Sequence, residues 1–226
     1  MRRGVFVTGT DTGVGKTLAA CALVHALRGA GEEVWPMKPV AAGAVRRGAR
    51  WVNEDTLALA EAAGLDEAAI ERVTPVLLRE PMSPHIAAAR EGRRISIDPI
   101  LEALDAAPRG AFRVVEGVGG FLVPLADDLD TGDLARAVAL PVVLVVGLRL
   151  GCLNHSLLTA RAIAAAGLAL AGWIANGIDP RMAVPEENVD TLRSRLPAPL
   201  LGRFPWQAQA DARALARRLD VRALLA

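Results

Sequence analysis

Hydrophobic positions along the 226-residue chain fall into two kinds of run. Short stretches rich in Val and Ile predict strands at 5–9, 33–39, 113–117, 141–147, 171–176 and 200–204, because β-branched side chains suit a pleated surface. Longer Ala- and Leu-rich stretches predict helices at 17–28, 54–63, 97–106, 133–138, 153–166 and 186–195. Strand and helix alternate, which is the pattern of βαβ units on a parallel sheet covered on both faces. The run Val142-Val143-Leu144-Val145-Val146 shows no polar alternation, as a central strand buried on both sides requires. The expected fold is a three-layer α/β arrangement, a mostly parallel sheet with helices on both faces. In such sheets ligands bind beyond the carboxyl ends of the strands, so the residues that follow each strand are the place to look for chemistry. Residues 41–52 read as a Gly/Arg-rich loop. Residues 212–226 read as an amphipathic helix whose Arg213, Arg217 and Arg218 form a solvated basic face.

Composition narrows the partners. With 26 Lys plus Arg against 25 Asp plus Glu, the net charge is +1, too small a field for a charge-driven grip on nucleic acid. The length suits a single domain spanning 1–226, burying about 70% of its unfolded surface. The longest uncharged apolar stretches, 137–148 and 162–175, stop at Arg149 and Asn176, short of the ~18 residues of a spanning helix. Met1-Arg2-Arg3 is basic like the start of an export signal, but Thr8-Gly9-Thr10 interrupts the apolar run after Val7, so the segment reads as structure and the protein as cytoplasmic. Cys21 and Cys152 lack metal-type spacing and suit reduced thiols, with a disulfide between them left open.

The first strand runs into Gly9-Thr10-Asp11-Thr12-Gly13-Val14-Gly15-Lys16-Thr17 and then a helix. This is a phosphate-binding loop with one extra residue between its first Gly and the Gly-Lys-Thr end. Small residues let backbone N–H groups turn toward phosphates, and the helix N-terminus adds its dipole. Lys16 can reach the β and γ oxygens, and the Thr17 hydroxyl can ligate Mg²⁺. The fold is therefore expected to be of the P-loop NTPase type. Further on, Lys38 ends the second strand, either snorkelling to solvent or turned into a site. Asp55 opens a helix, as a first-turn charge favoured by the dipole or as a metal ligand. Glu116 ends a buried strand before Gly117-Val118-Gly119-Gly120, where an acidic residue completes Mg²⁺ coordination in phosphate-loop enzymes.

These residues, together with Lys38-Pro39-Val40, Ser83-Pro84-His85, Val146-Gly147, Leu150-Gly151-Cys152-Leu153-Asn154-His155, Gly172-Trp173-Ile174-Ala175-Asn176 and Pro205-Trp206, run along nearly the whole chain. In that order they resemble dethiobiotin synthases. The resemblance implies a ligase of biotin biosynthesis that uses Mg²⁺ and ATP. Its substrates would be 7,8-diaminopelargonic acid and CO₂ or bicarbonate, and its products dethiobiotin, ADP and phosphate. By the same resemblance, Lys16, Lys38 and Thr12 serve the reacting groups, and Thr17, Asp55 and Glu116 hold the metal. ATP meets Gly13, Val14, Gly15, Lys16, Thr17, Asp55, Glu116, Gly117, Val118 and Gly119. Its adenine meets Asn176, Gly177, Pro205, Trp206 and Gln207.

The substrate side would comprise Lys38, Ala42 and, from a neighbouring subunit, Leu150, Gly151, Cys152, Leu153 and Asn154, which makes the expected assembly a homodimer with shared sites. Helix capping is the plain alternative for Asn154-His155, and a turn for Asn176-Gly177. Family members often carry an acid at position 13 and a Ser at position 42; Gly13 and Ala42 stand there instead. A partitioning-type switch ATPase shares this sheet and loop, but its extra loop lysine would fall at position 11, which is Asp11. An amide synthetase of the cobyric-acid type would bring a glutaminase domain for which this length leaves no room. His25 reads as a packed or surface residue, and His85 as a structural loop residue.

Overall fold

The computed structural model describes residues 2–225. Met1, in the basic start, and Ala226, at the end of the terminal helix read above, lie outside the described residues. Six strands form the central sheet: β1 (Gly4–Gly9), β2 (Val34–Met37), β3 (Phe112–Glu116), β4 (Val142–Leu148), β5 (Leu170–Gly177) and β6 (Leu200–Phe204). They lie in the spatial order β6-β5-β4-β1-β3-β2, all neighbours parallel. Each matches a strand expected from the sequence to within two residues at either end.

The pleat sorts side chains by face. Val5 and Val7 of β1, Val114 of β3, and Val143 and Val145 of β4 pack with Leu23 and Leu27 of α1 (Lys16–Gly29). Phe6, Val115 and Val142 point the other way, into a cluster with Leu134 and Val138 of α3 (Thr131–Val138). Leu144 and Val146 share that second face with Trp173, against Val189 and Leu192 of α5 (Pro185–Arg195) and Cys152 of α4 (Cys152–Ala165). Burying each such side chain contributes about 1.5–3 kcal/mol, so β4 is held from both sides as its unbroken apolar run requires. The remaining long helix, α2 (Glu54–Ala63), packs beside α1, with Leu59, Ala60, Ala62 and Ala63 in the α1 cluster.

β2 does not adjoin β1, because β3 lies between them. Several expectations are corrected. Residues 41–52 are not all loop: Val45–Arg47 and Arg50–Val52 pair antiparallel as a hairpin. The single C-terminal helix is two short ones, Ala212–Ala216 and Arg222–Leu225. Between them Leu219 bridges to Gly202, and Asp220 N–H donates to Leu201 O at 2.7 Å. This tertiary bonding pulls the backbone out of helix. His85 lies in the helix Pro84–Arg90, not in a loop, with Nδ1 3.2 Å from Pro124 O. Cys21 and Cys152 are both free and buried. Burial, with Glu116 and Asp55 adding to it, pushes the Cys21 thiol up to about 12. Among the described residues no helix is long and apolar enough to cross a membrane.

Candidate active site

The loop between β1 and α1 owes its shape to glycine. Gly13 and Gly15 have φ of 74° and 84°, left-handed values that strain any residue with a Cβ. At Gly15 there is also no room, since a Cβ would lie 2.2 Å from Asn176 Nδ2. That amide, buried at the end of β5, donates to Val14 O at 2.9 Å. Asn176 is therefore a brace on the loop rather than the residue of a turn. The helix that follows has Gly15 as its N-cap, with no capping side chain and no acidic residue in its first turn. Its first N–H groups and positive dipole end are left for an anion.

Lys16 is buried, and its Nζ donates to Asp11 O at 3.0 Å. Burial above all, with the charge of Lys38 added, holds its ammonium down at about 8 against the opposing pull of Glu116, Asp55 and Asp11. Thr17 Oγ1 donates to Glu116 Oε1 at 2.9 Å, and Lys38 Nζ donates to the same oxygen at 2.5 Å. Lys38 Nζ also lies 3.0 Å from Asp55 Oδ2. Lys38 is only 4% exposed, which removes the snorkelling reading. Burial would lower its pKa, but Glu116 and Asp55 outweigh it and the net direction is upward. Lys38 reaches this place although β2 is not next to β1, because β3 delivers Glu116 between them.

Glu116 is fully buried, and its Oε2 has no hydrogen-bond partner. A buried carboxylate oxygen without a donor is costly and is what a cation would satisfy. Asp55, half-exposed on the first turn of α2, and the Thr17 hydroxyl complete an oxygen set beside it. Among the described residues no group of three or more His, Cys, Asp and Glu is placed to hold a metal. Mg²⁺ does not need one, because it is commonly bound through one or two carboxylates plus waters and phosphate oxygens. These residues fit it.

A cavity of about 420 Å³ opens beside this set, lined by Thr12, Lys38, Ala42, Asp55, Val118 and Gly119 among others. A second, apolar cavity of about 280 Å³ lies under the Val45–Val52 hairpin and includes no phosphate-loop residue. Gly117 stacks on Phe6, where a Cβ would come within 3.2 Å of the ring. A Cβ on Gly177 would meet Trp206 N at 2.6 Å, so the Asn176-Gly177 and Pro205-Trp206-Gln207 segments are brought together at the same edge.

The segment 150–154 does not line its own chain's cavity. Leu150 is 96% exposed, and Gly151, φ 95°, is the N-cap of α4, again with no capping side chain and no first-turn acid. Asn154 is thus not the cap of this helix. Elsewhere Asn53, Asp66, Asp130 and Asp211 cap their helices through side chains. Asn53-Glu54-Asp55 reads as a helix start in the sequence, and Asn53 has a further part in the structure. It accepts from Asp55 N–H at 3.0 Å and donates to Ala42 O at 3.2 Å, holding Asp55 and the Ala42 loop in one frame. Its position just before the acidic start of a helix was a usable sign.

An AAA domain family model matches residues 3–214. The chain is similar to the ATP-dependent dethiobiotin synthetase BioD of Ralstonia nicotianae, 54% identical over 100% of this chain and 99% of that one. The protein of the same name from Aromatoleum aromaticum is 52% identical over 92% of this chain and 93% of its own length. Among solved structures, the MinC:MinD cell division complex of Aquifex aeolicus matches at TM-score 0.53 and 16% identity, covering 91% of this chain and 82% of that one. The septum site-determining protein MinD of Pyrococcus horikoshii, complexed with Mg-ADP, matches at TM-score 0.52 and 17% identity over the same shares. These two likenesses show a shared fold.

Proposed function

The chain belongs to the ATP-dependent dethiobiotin synthetase family, a family of carbon–nitrogen ligases, and we propose on that footing how its residues divide the work. One domain, 1–226, carries the whole reaction. CO₂ adds to one amine of 7,8-diaminopelargonic acid and gives a carbamate with release of a proton. A carbamate oxygen attacks the γ-phosphorus of ATP and ADP leaves. The second amine then attacks the carbamic-phosphoric anhydride carbon, expels phosphate, loses its proton and closes the cyclic urea.

Every intermediate is anionic, so catalysis is chiefly charge stabilisation and placement. Lys16 binds the phosphates. Lys38 neutralises the carbamate and the γ-phosphoryl group, and Thr12 orients the amine end. Thr17, Asp55 and Glu116 would hold Mg²⁺, which when bound would supply charge neutralisation at the phosphate oxygens. Val14 and Gly117 to Gly119 border the nucleotide. The backbone of Ala42 meets the substrate where relatives often offer a hydroxyl. Asn176 Nδ2 is committed to Val14 O, which leaves its oxygen to accept from the exocyclic amine of adenine, beside Gly177 and the 205–207 segment. The observation that carries this reading is the single hydrogen-bonded set Thr17–Glu116–Lys38–Asp55 at the carboxyl ends of the strands, next to the Lys16 loop.

The free N–H groups at the start of α4 suit the substrate's distant carboxylate. Since the 150–154 segment does not line its own chain's cavity and carries the almost fully exposed Leu150, that carboxylate belongs to the partner's substrate, in a cytoplasmic homodimer. Sedimentation under assay conditions checks this: the active species runs as a dimer, and an active monomer removes the shared site.

Binding of a triphosphate against Lys16 favours its ammonium form. With the free lysine at about 8, nucleotide binding takes up a proton, increasingly so from about pH 7 to pH 9, and affinity falls across that window as deprotonation competes. Calorimetric titrations with ATP in buffers of different ionisation heat read the uptake; heats independent of buffer near pH 8.5 contradict it.

The function itself is tested by phosphate release with ATP, Mg²⁺ and bicarbonate, with and without the diamine, the organic product being weighed by mass spectrometry. Release that depends on the diamine and yields dethiobiotin is expected. Release indifferent to the diamine, or stimulated by DNA or lipid, would instead favour the switch ATPase.

A further inference from the structure

Asp11 is an oddity in a phosphate loop, a carboxylate placed where a polyanion is to be bound. Its oxygens are fully engaged. Oδ1 accepts from Thr12 N–H at 2.7 Å, Oδ2 accepts from Arg149 Nη2 at 2.5 Å, and its carbonyl accepts from Lys16 Nζ at 3.0 Å. Arg149 follows β4, the strand paired with β1, and Thr10 N–H donates to Val145 O at 3.0 Å, which sets the loop and the end of β4 side by side. Arg149 also begins the turn into α4, its own carbonyl accepting from Cys152 N–H at 3.0 Å. It therefore ties the phosphate loop to the exposed 150–154 segment through one side chain.

We propose that Arg149 is a positioning residue whose guanidinium cancels the Asp11 carboxylate and fixes Asp11 and Thr12, so that the loop receives a triphosphate without like-charge repulsion. The inference rests on reading residues 9–17 as the ATP site. The pair is half-exposed, 41% for Arg149 and 47% for Asp11, so it adds little to folding stability. Its purpose is local: with Arg149 absent, Asp11 faces the incoming phosphates uncompensated. Arg is suited to the task because its planar fork holds one orientation, which a lysine ammonium does not.

The test is a double-mutant cycle on the full-length enzyme, read as KM for ATP and kcat, with thermal melts to confirm folding. Arg149→Met is expected to raise the KM for ATP about tenfold with kcat within about twofold, the pattern of lost ground-state and transition-state binding alike. Adding Asp11→Asn restores KM to within about threefold of the parent, because the amide oxygen still accepts from Thr12 N–H but repels no phosphate. Added salt narrows the gap between Arg149→Met and the parent, since screening weakens the uncovered repulsion. If Arg149 only packs, the double variant is as poor as Arg149→Met, and that result overturns the proposal, as does an unchanged KM in the single variant. Arg149→Gln serves the same comparison should the Met variant not fold. Lys16→Ala runs alongside. If it leaves ATP binding intact, the ATP-site reading fails; if it abolishes binding while Arg149→Met changes nothing, only the present inference falls.

Discussion

Replacing Lys38 by Ala lowers turnover by about a thousandfold or more while ATP binding changes only a few-fold, the loss expected when a buried cation aimed at developing charge is removed. The physical setting makes a control necessary. Lys38 is the ammonium partner of Glu116, which is fully buried. Deleting one member of such a pair strands the other and costs about 3–5 kcal/mol of stability. Lys38→Ala will therefore melt earlier as well as turn over slowly. Lys38→Ala combined with Glu116→Gln, compared with Glu116→Gln alone at Mg²⁺ that saturates both, separates the two effects: the neutral partner returns stability, and turnover stays far below that of Glu116→Gln because no Lys38 cation faces the carbamate. A fall in turnover of less than tenfold in the folded single variant would show that Lys38 has no part in the chemistry.

Glu116→Gln alone shifts the Mg²⁺ dependence upward by about tenfold or more, as expected when one charged oxygen ligand becomes a neutral one. The reason lies in Oε2. Its neighbour Oε1 is engaged by Thr17 and Lys38, whereas Oε2 is buried and unpartnered, so Oε2 is the oxygen left for a cation. The assay is a Mg²⁺ titration at saturating ATP. A curve that overlays the parent's would take Glu116 out of the metal shell and leave its charge as a counter-ion for Lys38.

The strands were legible because each combines β-branched residues with clear punctuation, and β4 most of all. Strand order was not legible: nothing local in 33–39 or 113–117 says that the later segment inserts between the earlier one and β1. The hairpin at Val45–Val52 escaped because its strand positions are exposed or half-exposed and three of its residues are Arg, leaving no apolar face to alternate. The helix Glu67–Val73 was also unread, although Asp66 caps it by accepting from Ala69 N–H at 2.9 Å, a sign the sequence carried. The C-terminal helix was over-extended because its Ala/Leu pattern is helical, while the bonds that interrupt it come from β6. The phosphate loop, Lys38 and Glu116 were recognisable one by one. Their joining into one set needed the register of β3, and the Asp11–Arg149 pair spans too much sequence for spacing to reveal it.

The two rims of the sheet carry a consequence for assembly. Phe112 N–H donates to Glu33 O at 2.7 Å, so on the two-residue period of a strand the odd positions of β2 face inward and Pro36 faces the open rim without an N–H to offer. Just beyond it, Lys38 N–H is already spent on Val73 O, and Val40–Ala41 pairs with Val76–Leu77. At the opposite rim, β6 is occupied by the Leu219 bridge and the Asp220 bond. Among the described residues each rim is interrupted, by Pro36 at one and by the Leu219 bridge and Asp220 bond at the other. Two copies that continued one sheet into the next would have to pair across a proline or break those bonds, whereas association through helix faces and loops such as the one bearing Leu150 leaves each protomer's strand order intact.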